Sequence, residues 1–497
     1  MNLCLLLLLP LAATLLVCLP ANKYWAPGVT LVSSLMILVG VMRLAWLMAA
    51  GQSVMTGWNT GLLHGLTVDG LSVLILLLIA FIATTAAIFS IGYMEHQILT
   101  PWKRRLYYAN YNLFVFSMLA IPVLVDPTLV WIAVELTTLC SALLVSFENT
   151  HEALEAAWKY VVLSLMGAGI ALFGFLVLFA AMQTSGRGGA YTWSGLIAAA
   201  PAMPPVLLQA AFLLILIGLG TKVGLVPMHT WLPDAHSQAP SPVCALLSGI
   251  ETTTILYVIL RLFPVLHAAP HGHADIWAMV LGLISVGAAA FLLLQVSDYK
   301  RLLAFSTVEH MGIILTAVGL GASVAGYGAM QQVVSHAVTK SFCFFAAGAV
   351  LLVTGTRQIA AVRGLIGKSP LAGAALIFGG LAITGAPPLA VFLSEFTILK
   401  AGLTARHYLA TGLLALFIVI AFFGIMLHFN RMVFEAGSDQ ASPEGAAFPA
   451  RRGNLPRLPW SCRLALFVAA APVLVLGVYI PPPLQNLLTQ AAAALKG

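Results

Sequence analysis

The chain has 497 residues, of which 61% are hydrophobic and only 8% charged, with a formal net charge of +7. Soluble domains carry about 25% charged residues, so this composition excludes a soluble globular enzyme and describes a polytopic membrane protein. The positive balance is the ordinary bias of a multi-span chain, not a nucleic-acid footprint. Six cysteines (Cys4, Cys18, Cys140, Cys244, Cys343, Cys462) are scattered through apolar runs. Without CxxC or Cys/His spacing they read as packing residues, and no metal or iron–sulfur site is expected. No Walker A sequence occurs, so no ATP site and no other cofactor is expected in this chain.

A bilayer span needs roughly 20 apolar residues. The first residues, MNLCLLLLLPLAATLLVCLP, lack a basic n-region and an A-x-A site, so they read as a first span, not a signal peptide. Fourteen spans are expected, at about 2–20, 26–48, 67–92, 108–125, 128–147, 156–182, 206–231, 240–263, 275–296, 301–321, 327–354, 371–394, 407–432 and 462–481. The fold class is therefore all-α and polytopic. Loops after odd-numbered spans hold most of the lysines and arginines, among them Lys103, Arg104, Arg105, Lys300, Arg301, Arg363 and Arg451. The positive-inside rule makes those loops cytoplasmic and both termini outside. Residues 433–461 form the one long polar loop, with Asp439 and Glu444, and read as a cytoplasmic linker.

Polar residues recur in matching order. Span 5 has Glu135, span 6 Lys159 and span 7 Lys222 beside prolines; span 10 has Glu309, span 11 Lys340 and span 12 Glu395 beside Pro387 and Pro388. Each unit holds five spans, so the second is inverted relative to the first. Inverted repeats with broken helices in matching places mark transporters. The expected division is residues 1–107 (spans 1–3), 108–263 (first repeat), 264–432 (second, inverted repeat) and 433–497 (loop and last span).

The stretch Gly218 to Pro242, GLGTKVGLVPMHTWLPDAHSQAPSP, is the most informative. A lysine at membrane depth costs about 3 kcal/mol, and proline mid-helix removes a hydrogen bond. Lys222 among four prolines therefore points to a broken helix packed inside protein or lining a polar cavity. Glu135, mid-span, is either a protonated acid bonded to a neighbouring helix or the carboxylate that pairs with Lys222. Such a pair has a joined and a parted state. Lys159 is either part of the polar series or a lysine that snorkels to the interface. His336 and Lys340, four apart, share a helical face and could hand on a proton. Glu309 and His310 are adjacent and point apart, so one of them faces the polar axis. Glu395 follows the second break; Lys400 is either an outlet or an interfacial anchor. His229, Asp234 and His236 either form an inlet path or cap the broken helix. His267, His271 and His273 lie in an outer loop, with little to suggest metal binding. His64 and Asp69 are polar flanks of span 3.

At these residues the chain resembles the antiporter-like membrane subunits of the complex I family, which also includes multisubunit Na⁺/H⁺ antiporters and group 4 membrane-bound hydrogenases. The resemblance covers about residues 60–430 and is carried by VDGLS at 68–72, GTKVGLVPMHTWLPDAHSQAPSPV, DYKRLLAFST at 298–307, HAVTK at 336–340 and SEF at 394–396. AWKYV at 157–161 and VEHMG at 308–312 look most like the F-type subunit of hydrogenase-4. The resemblance implies inverted repeats of spans 4–8 and 9–13 and a hydrated polar axis at mid-membrane. It makes Glu135 the span 5 carboxylate, Lys222 its partner, His336 and Lys340 the central relay and Glu395 the span 12 acid. One departure stands out. Relatives often carry Lys or His in mid-span 8; here that position is Thr253, with Glu251 two residues away on the opposite face and water held by Thr252, Thr253 and Thr254 as a possible bridge. The chain also shows no long lateral helix after span 14.

The expected function is a proton-translocating, non-catalytic membrane subunit of a redox-driven oxidoreductase complex, hydrogenase-4-like or complex I-like, in a bacterial inner membrane. Its partners would be other membrane subunits and a peripheral redox arm, which could be a [NiFe] hydrogenase. A Na⁺/H⁺ antiporter subunit and a scaffold for a peripheral enzyme, such as an inorganic-carbon uptake module, are the alternatives.

Overall fold

The computed structural model describes residues 3–52, 54–60, 63–97, 99–187, 189–270, 274–436 and 458–496, with backbone alone at 54–60 and 63–64. His271, His273, the side chain of His64 and the charged part of the long loop (Asp439, Glu444, Arg451, Arg452, Arg457) lie outside the described residues.

The N-terminal part runs α1 (Leu3–Val17), α2 (Trp25–Ala49), β1 (Val54–Thr60), β2 (Leu63–Val68) and α3 (Gly70–His96). Then come α4 (Pro101–Ala120), α5 (Pro127–Val145), α6 (His151–Thr184), α7 (Trp193–Ala199), α8 (Pro205–Val223), α9 (Trp231–Gln238), α10 (Ser241–Leu246), a π-helical turn (Leu247–Glu251), α11 (Thr252–Leu260) and α12 (Phe263–Ala268). The second half holds α13 (Ala274–Leu292), α14 (Tyr299–Gly319), α15 (Ser323–Thr354), α16 (Leu365–Lys368), α17 (Pro370–Ile383), α18 (Ala390–Thr404) and α19 (Tyr408–Phe434). It closes with α20 (Trp460–Val478) and α21 (Pro482–Ala493).

Each of the fourteen expected stretches holds a helix, and eleven helices among the described residues are long and apolar enough to cross a membrane. The fold is essentially all-α, with one addition: β1 and β2 form an antiparallel hairpin in which Val54 faces Val68. Helix starts follow local chemistry. Asp69, Thr100, Asp126, Thr150 and Asp298 each accept a backbone N–H from the first turn that follows, as N-caps do. Both proline-marked spans are broken. α8 ends at Gly224 (φ 89°), and the chain is irregular to α9; α17 ends before Gly385 (φ 70°), and α18 resumes at Ala390. Proline and left-handed glycine together stop a helix where an all-apolar run would carry it on.

Close helix pairs rest on small residues, the membrane solution to bringing backbones together. A Cβ at Gly218 of α8 would lie 2.5 Å from Ala171 N and 2.6 Å from Gly167 O of α6. The α13–α14 contact is alike, since a Cβ at Gly312 would lie 2.7 Å from Gly282 O. The span 10–11 pair α14 and α15 is almost wholly buried, as is the span 8 rod α10–α11, whereas α2, α13, α19 and α20 expose large apolar faces. The polar series sits on the buried rods.

Candidate functional site

Lys222 lies in the last turn of α8, where the glycine-terminated helix ends in mid-protein, and is 2% exposed. Its ammonium donates to Val134 O at 2.5 Å, to Thr137 Oγ1 at 2.6 Å and to Thr138 Oγ1, all on α5. The acid in contact with it is Glu251, whose Oε1 is 3.8 Å from Nζ. Glu135 sits beside the same α5 residues, but its Oε1 is buried without a hydrogen-bond partner. The expected Glu135–Lys222 contact is thus replaced in this structure by Lys222–Glu251.

Glu251 has hydroxyl neighbours of its own. Tyr160 donates to its Oε1 at 3.1 Å and Ser141 at 3.5 Å, and those two hydroxyls meet each other at 2.7 Å. The Tyr160 ring packs on Trp231, centroids 4.4 Å apart, and Trp231 donates to Thr221 O at 2.8 Å. The first turn of α9 therefore braces both the tyrosine and the end of α8. Glu251 Oε2 is buried and unpartnered. Thr252, Thr253 and Thr254 donate back to Ser248 O, Gly249 O and Ile250 O of their own helix. Their hydroxyl protons are used locally, which leaves only their oxygen lone pairs to accept from any other group.

On the opposite side of span 8 the contact group is Ser248. His336 Nε2 is 3.1 Å from Ser248 O, and Ser248 Oγ is 2.6 Å from Thr307 Oγ1. His336 is fully buried, its Nδ1 has no partner, and its ring centroid is 5.2 Å from that of His310. His310 is bracketed on both nitrogens. Nε2 is 3.0 Å from Ile383 O, a carbonyl freed where α17 breaks, and Nδ1 is 2.8 Å from Gln332 Nε2. Ser394 in turn donates to Gln332 Oε1. This network assigns Nε2–H to His310 and leaves His336 as the histidine with a free nitrogen. Both members of the Glu309–His310 pair are buried.

Lys340, also fully buried, donates to Leu303 O at 2.5 Å and to Ser306 Oγ. Ser306 is three residues before Glu309 on α14, so the two share a face. Glu395 is 6% exposed, and its carboxylate lies against Gly385 in the second break, in the space a Cβ would fill.

Other candidates lie elsewhere. Lys159 is 46% exposed and pairs with Glu155 at 2.7 Å and Asp234 at 3.2 Å; Asp234 also binds Arg301 at 2.7 Å. Lys159 therefore does not join the buried series. It lies about two and a half turns into α6, on a face that opens to the surface beside Glu155, and Asp234 is drawn into the same surface cluster. Lys400 is exposed on α18. His229 is half-buried with Nδ1 unpartnered, and His236 is wholly buried between Trp231 and Phe344 with both nitrogens unpartnered. His267 pairs with Asp275 at 3.1 Å, and no cluster of three metal-ligating groups occurs among the described residues.

Two of the motif stretches, VDGLS and DYKRLLAFST, carry architectural contacts. Asp69 caps α3 and forms a two-pronged ion pair with Arg261, which also binds Ser72 at 2.6 Å and Tyr257 at 2.9 Å. Burial pushes the Asp69 carboxyl up, but the Arg261 guanidinium and its hydrogen bonds outweigh this and hold it below the usual carboxylate range. Lys300 is 1% exposed, and its ammonium donates to Ser237 O at 3.1 Å and Ala239 O at 2.6 Å at the end of α9. The sequence reading had placed it among the loop cations. Tyr160, Ser141, Ser248, Gln332 and Ser394 were missed as well. Tyr160 stands next to Lys159 in AWKYV, and the four others are small or neutral groups that raise no flag in an apolar run.

This architecture of two broken helices around a buried chain of acids, lysines and histidines is that of an antiporter-like membrane subunit. The chain belongs to the family described as NADH:quinone oxidoreductase/Mrp antiporter, TM, whose model matches residues 125–423. A second model, NADH-Ubiquinone oxidoreductase (complex I), chain 5 N-terminus, matches residues 59–104. The chain is 38% identical over 436 residues to the hydrogenase-4 component F homolog of Methylacidiphilum infernorum, covering 86% of this chain and 88% of that protein. It is 28% identical over 465 residues to NADH-quinone oxidoreductase subunit N of Desulforudis audaxviator, covering 91% and 88%. The fold matches a chain of the Mrp complex from Dietzia with a TM-score of 0.86 at 20% identity, covering 99% of this chain and 97% of that one. A chain of the archaeal membrane-bound sulfane sulfur reductase matches at 0.85 and 23%, with the same coverage. The resemblance read from the motifs, its F-type branch included, is met by these relatives.

Proposed function

We propose that this chain is the proton-translocating membrane subunit of a redox-driven multisubunit complex in a bacterial inner membrane, with both termini outside. The observation that carries this reading is a buried polar series in both halves of the molecule: the Lys222–Glu251 pair on one side of span 8, and on the other Ser248, His336, His310, Gln332 and Ser394 joined by contacts, with Glu395 next to Ser394 in the chain. Residues 108–263 and 264–432 act as inverted repeats, each with one broken helix. Intramembrane ionisable groups are costly and are kept where ions move. Lys222 takes part because its ammonium is held by a few short contacts that a change in nearby charge can reweight. Electron transfer in a partner supplies that change. The proton then passes by way of His336, with Lys340 and Glu309 beside it, to Glu395 and outward. Relatives named as subunits of hydrogenase-4 and of NADH-quinone oxidoreductase favour a redox partner over a free-standing exchanger.

The test is Lys222→Met in the chromosomal gene, with proton uptake followed in inverted membrane vesicles while H₂ and NADH are offered in turn as donors. Assembly is expected to stay normal and donor-dependent uptake to vanish. Uptake at the wild-type rate would overturn the reading. Proton flux that needs Na⁺ and no electron donor would favour the Na⁺/H⁺ antiporter alternative.

A further inference from the structure

Span 8 has no lysine or histidine at its centre, yet it makes the closest charged contact to Lys222. The reason lies in the π-helical turn Leu247–Glu251, which interrupts the rod between α10 and α11. In an uninterrupted α-helix Ser248 and Glu251, three apart, would lie about 60° apart on one face. The inserted residue of a π-turn widens that angle. As a result Ser248 meets His336 of α15 while Glu251 meets Lys222 of α8. A π-turn gives up regular hydrogen bonding, and this one occurs where a single buried rod must address two opposite neighbours.

We infer that Glu251 is the resting dock of the Lys222 ammonium, and that Lys222 works by moving between Glu251 and Glu135. This rests on the proton-translocating reading and names the partner that reading leaves open. Three observations carry it. Glu251 Oε1 accepts the Tyr160 hydroxyl, which Trp231 packs in place, so it is the anchored end of the pair. Glu135 has a buried carboxylate oxygen with no partner, as a second station awaiting a cation would. The oxygens that grip the ammonium, on Val134, Thr137 and Thr138, share α5 with Glu135, so a rotation of the lysine tail along α5 exchanges one acid for the other. The titratable groups facing this site are Glu135 and Cys140 of α5, Tyr160 of α6 and Lys222 of α8, with His336 of α15 across the π-turn. The competing role for Glu251 is a passive acceptor for Tyr160 and Ser141.

The experiment compares Glu251→Gln with Glu251→Asp, and adds Glu135→Gln and Lys222→Met, all in the intact complex in membrane vesicles. Gln keeps the shape and the hydrogen-bond acceptor; Asp keeps the charge and shortens the arm. A dock needs the charge. Glu251→Gln should lower donor-driven proton uptake per assembled chain at least about tenfold, the scale of one lost interaction with a charged partner, and Glu251→Asp should restore most of it. Glu135→Gln should also stop uptake, with assembly intact, because the lysine has no second station. A Gln variant that matches or exceeds the Asp variant overturns the dock, as does wild-type uptake in Glu135→Gln. Normal uptake in Lys222→Met sinks the parent reading, whereas a dead Lys222→Met with a normal Glu251→Gln sinks only the dock. Activity is normalised to assembled chain, so reduced folding of one variant leaves the Asp-to-Gln comparison decisive.

Discussion

Lys300 separates two readings of the same residue. As a loop cation its replacement by Met would change stability by no more than about 0.5 kcal/mol, as for most surface sites. The structure instead buries it to 1% exposure, with its ammonium on Ser237 O and Ala239 O at the end of α9. Hydrogen bonds involving a charged group contribute about 1.5–3 kcal/mol each. The two bonds do not count equally. Ser237 O keeps a second donor in Arg357 at 2.7 Å, so losing Lys300 leaves it satisfied. Ala239 O keeps only the Cys244 thiol at 3.2 Å, a weak donor, so its desolvation is no longer offset. Lys300→Met should therefore destabilise the chain by about 2–3 kcal/mol, less whatever the methionine regains by packing. Lys103→Met, at an exposed position on α4, is the control. Thermal unfolding of the detergent-solubilised protein, followed by tryptophan fluorescence, should place Lys300→Met a few degrees below wild type and Lys103→Met level with it. Equal melting of the two variants would refute the clamp.

Two further outcomes follow from packing and charge. Gly218→Ala should lower the melting temperature, because its Cβ would meet α6 backbone at 2.5 Å and overpacking costs about 1–3 kcal/mol. Gly412→Ala, where the Cβ meets nothing within 4 Å, should melt at or slightly above wild type, since alanine favours a helix over glycine by about 1 kcal/mol. The Asp69 carboxyl is held below its ordinary range by Arg261, so its contribution is present above the ordinary carboxylate range and is lost as pH falls through the lowered value. Asp69→Asn should accordingly lower stability at neutral pH and flatten the acid limb of a melting-temperature profile; an unchanged acid limb would show that the ion pair contributes nothing.

Much of the fold was legible because its determinants are local. Apolar runs of span length and prolines at both breaks act over a few residues, so their positions could be read without tertiary information. The costly groups Lys222, His336, Lys340, Glu309 and Glu395 were legible for the same reason: any ionisable side chain in an apolar run is conspicuous. Which groups touch which was not legible. Lys159 looked like part of the series because it lies in an apolar span, but its side chain faces outward and pairs with Glu155 and Asp234 at the surface. Lys300 looked like a surface cation because it follows a loop, but α9 folds over it. Glu251 was read as facing away from Thr253, two positions on along a regular helix, and the π-turn that changes its direction has no local sequence marker. By itself the sequence determined the helices, the two breaks and the presence of ionisable groups such as Lys222, Lys340 and Glu395 deep in apolar runs, all of which depend on the cost of placing each residue in lipid. Only the tertiary structure decided the pairing of those charges, because pairing depends on the rotation of each helix about its axis, and that is set by the neighbours it packs against.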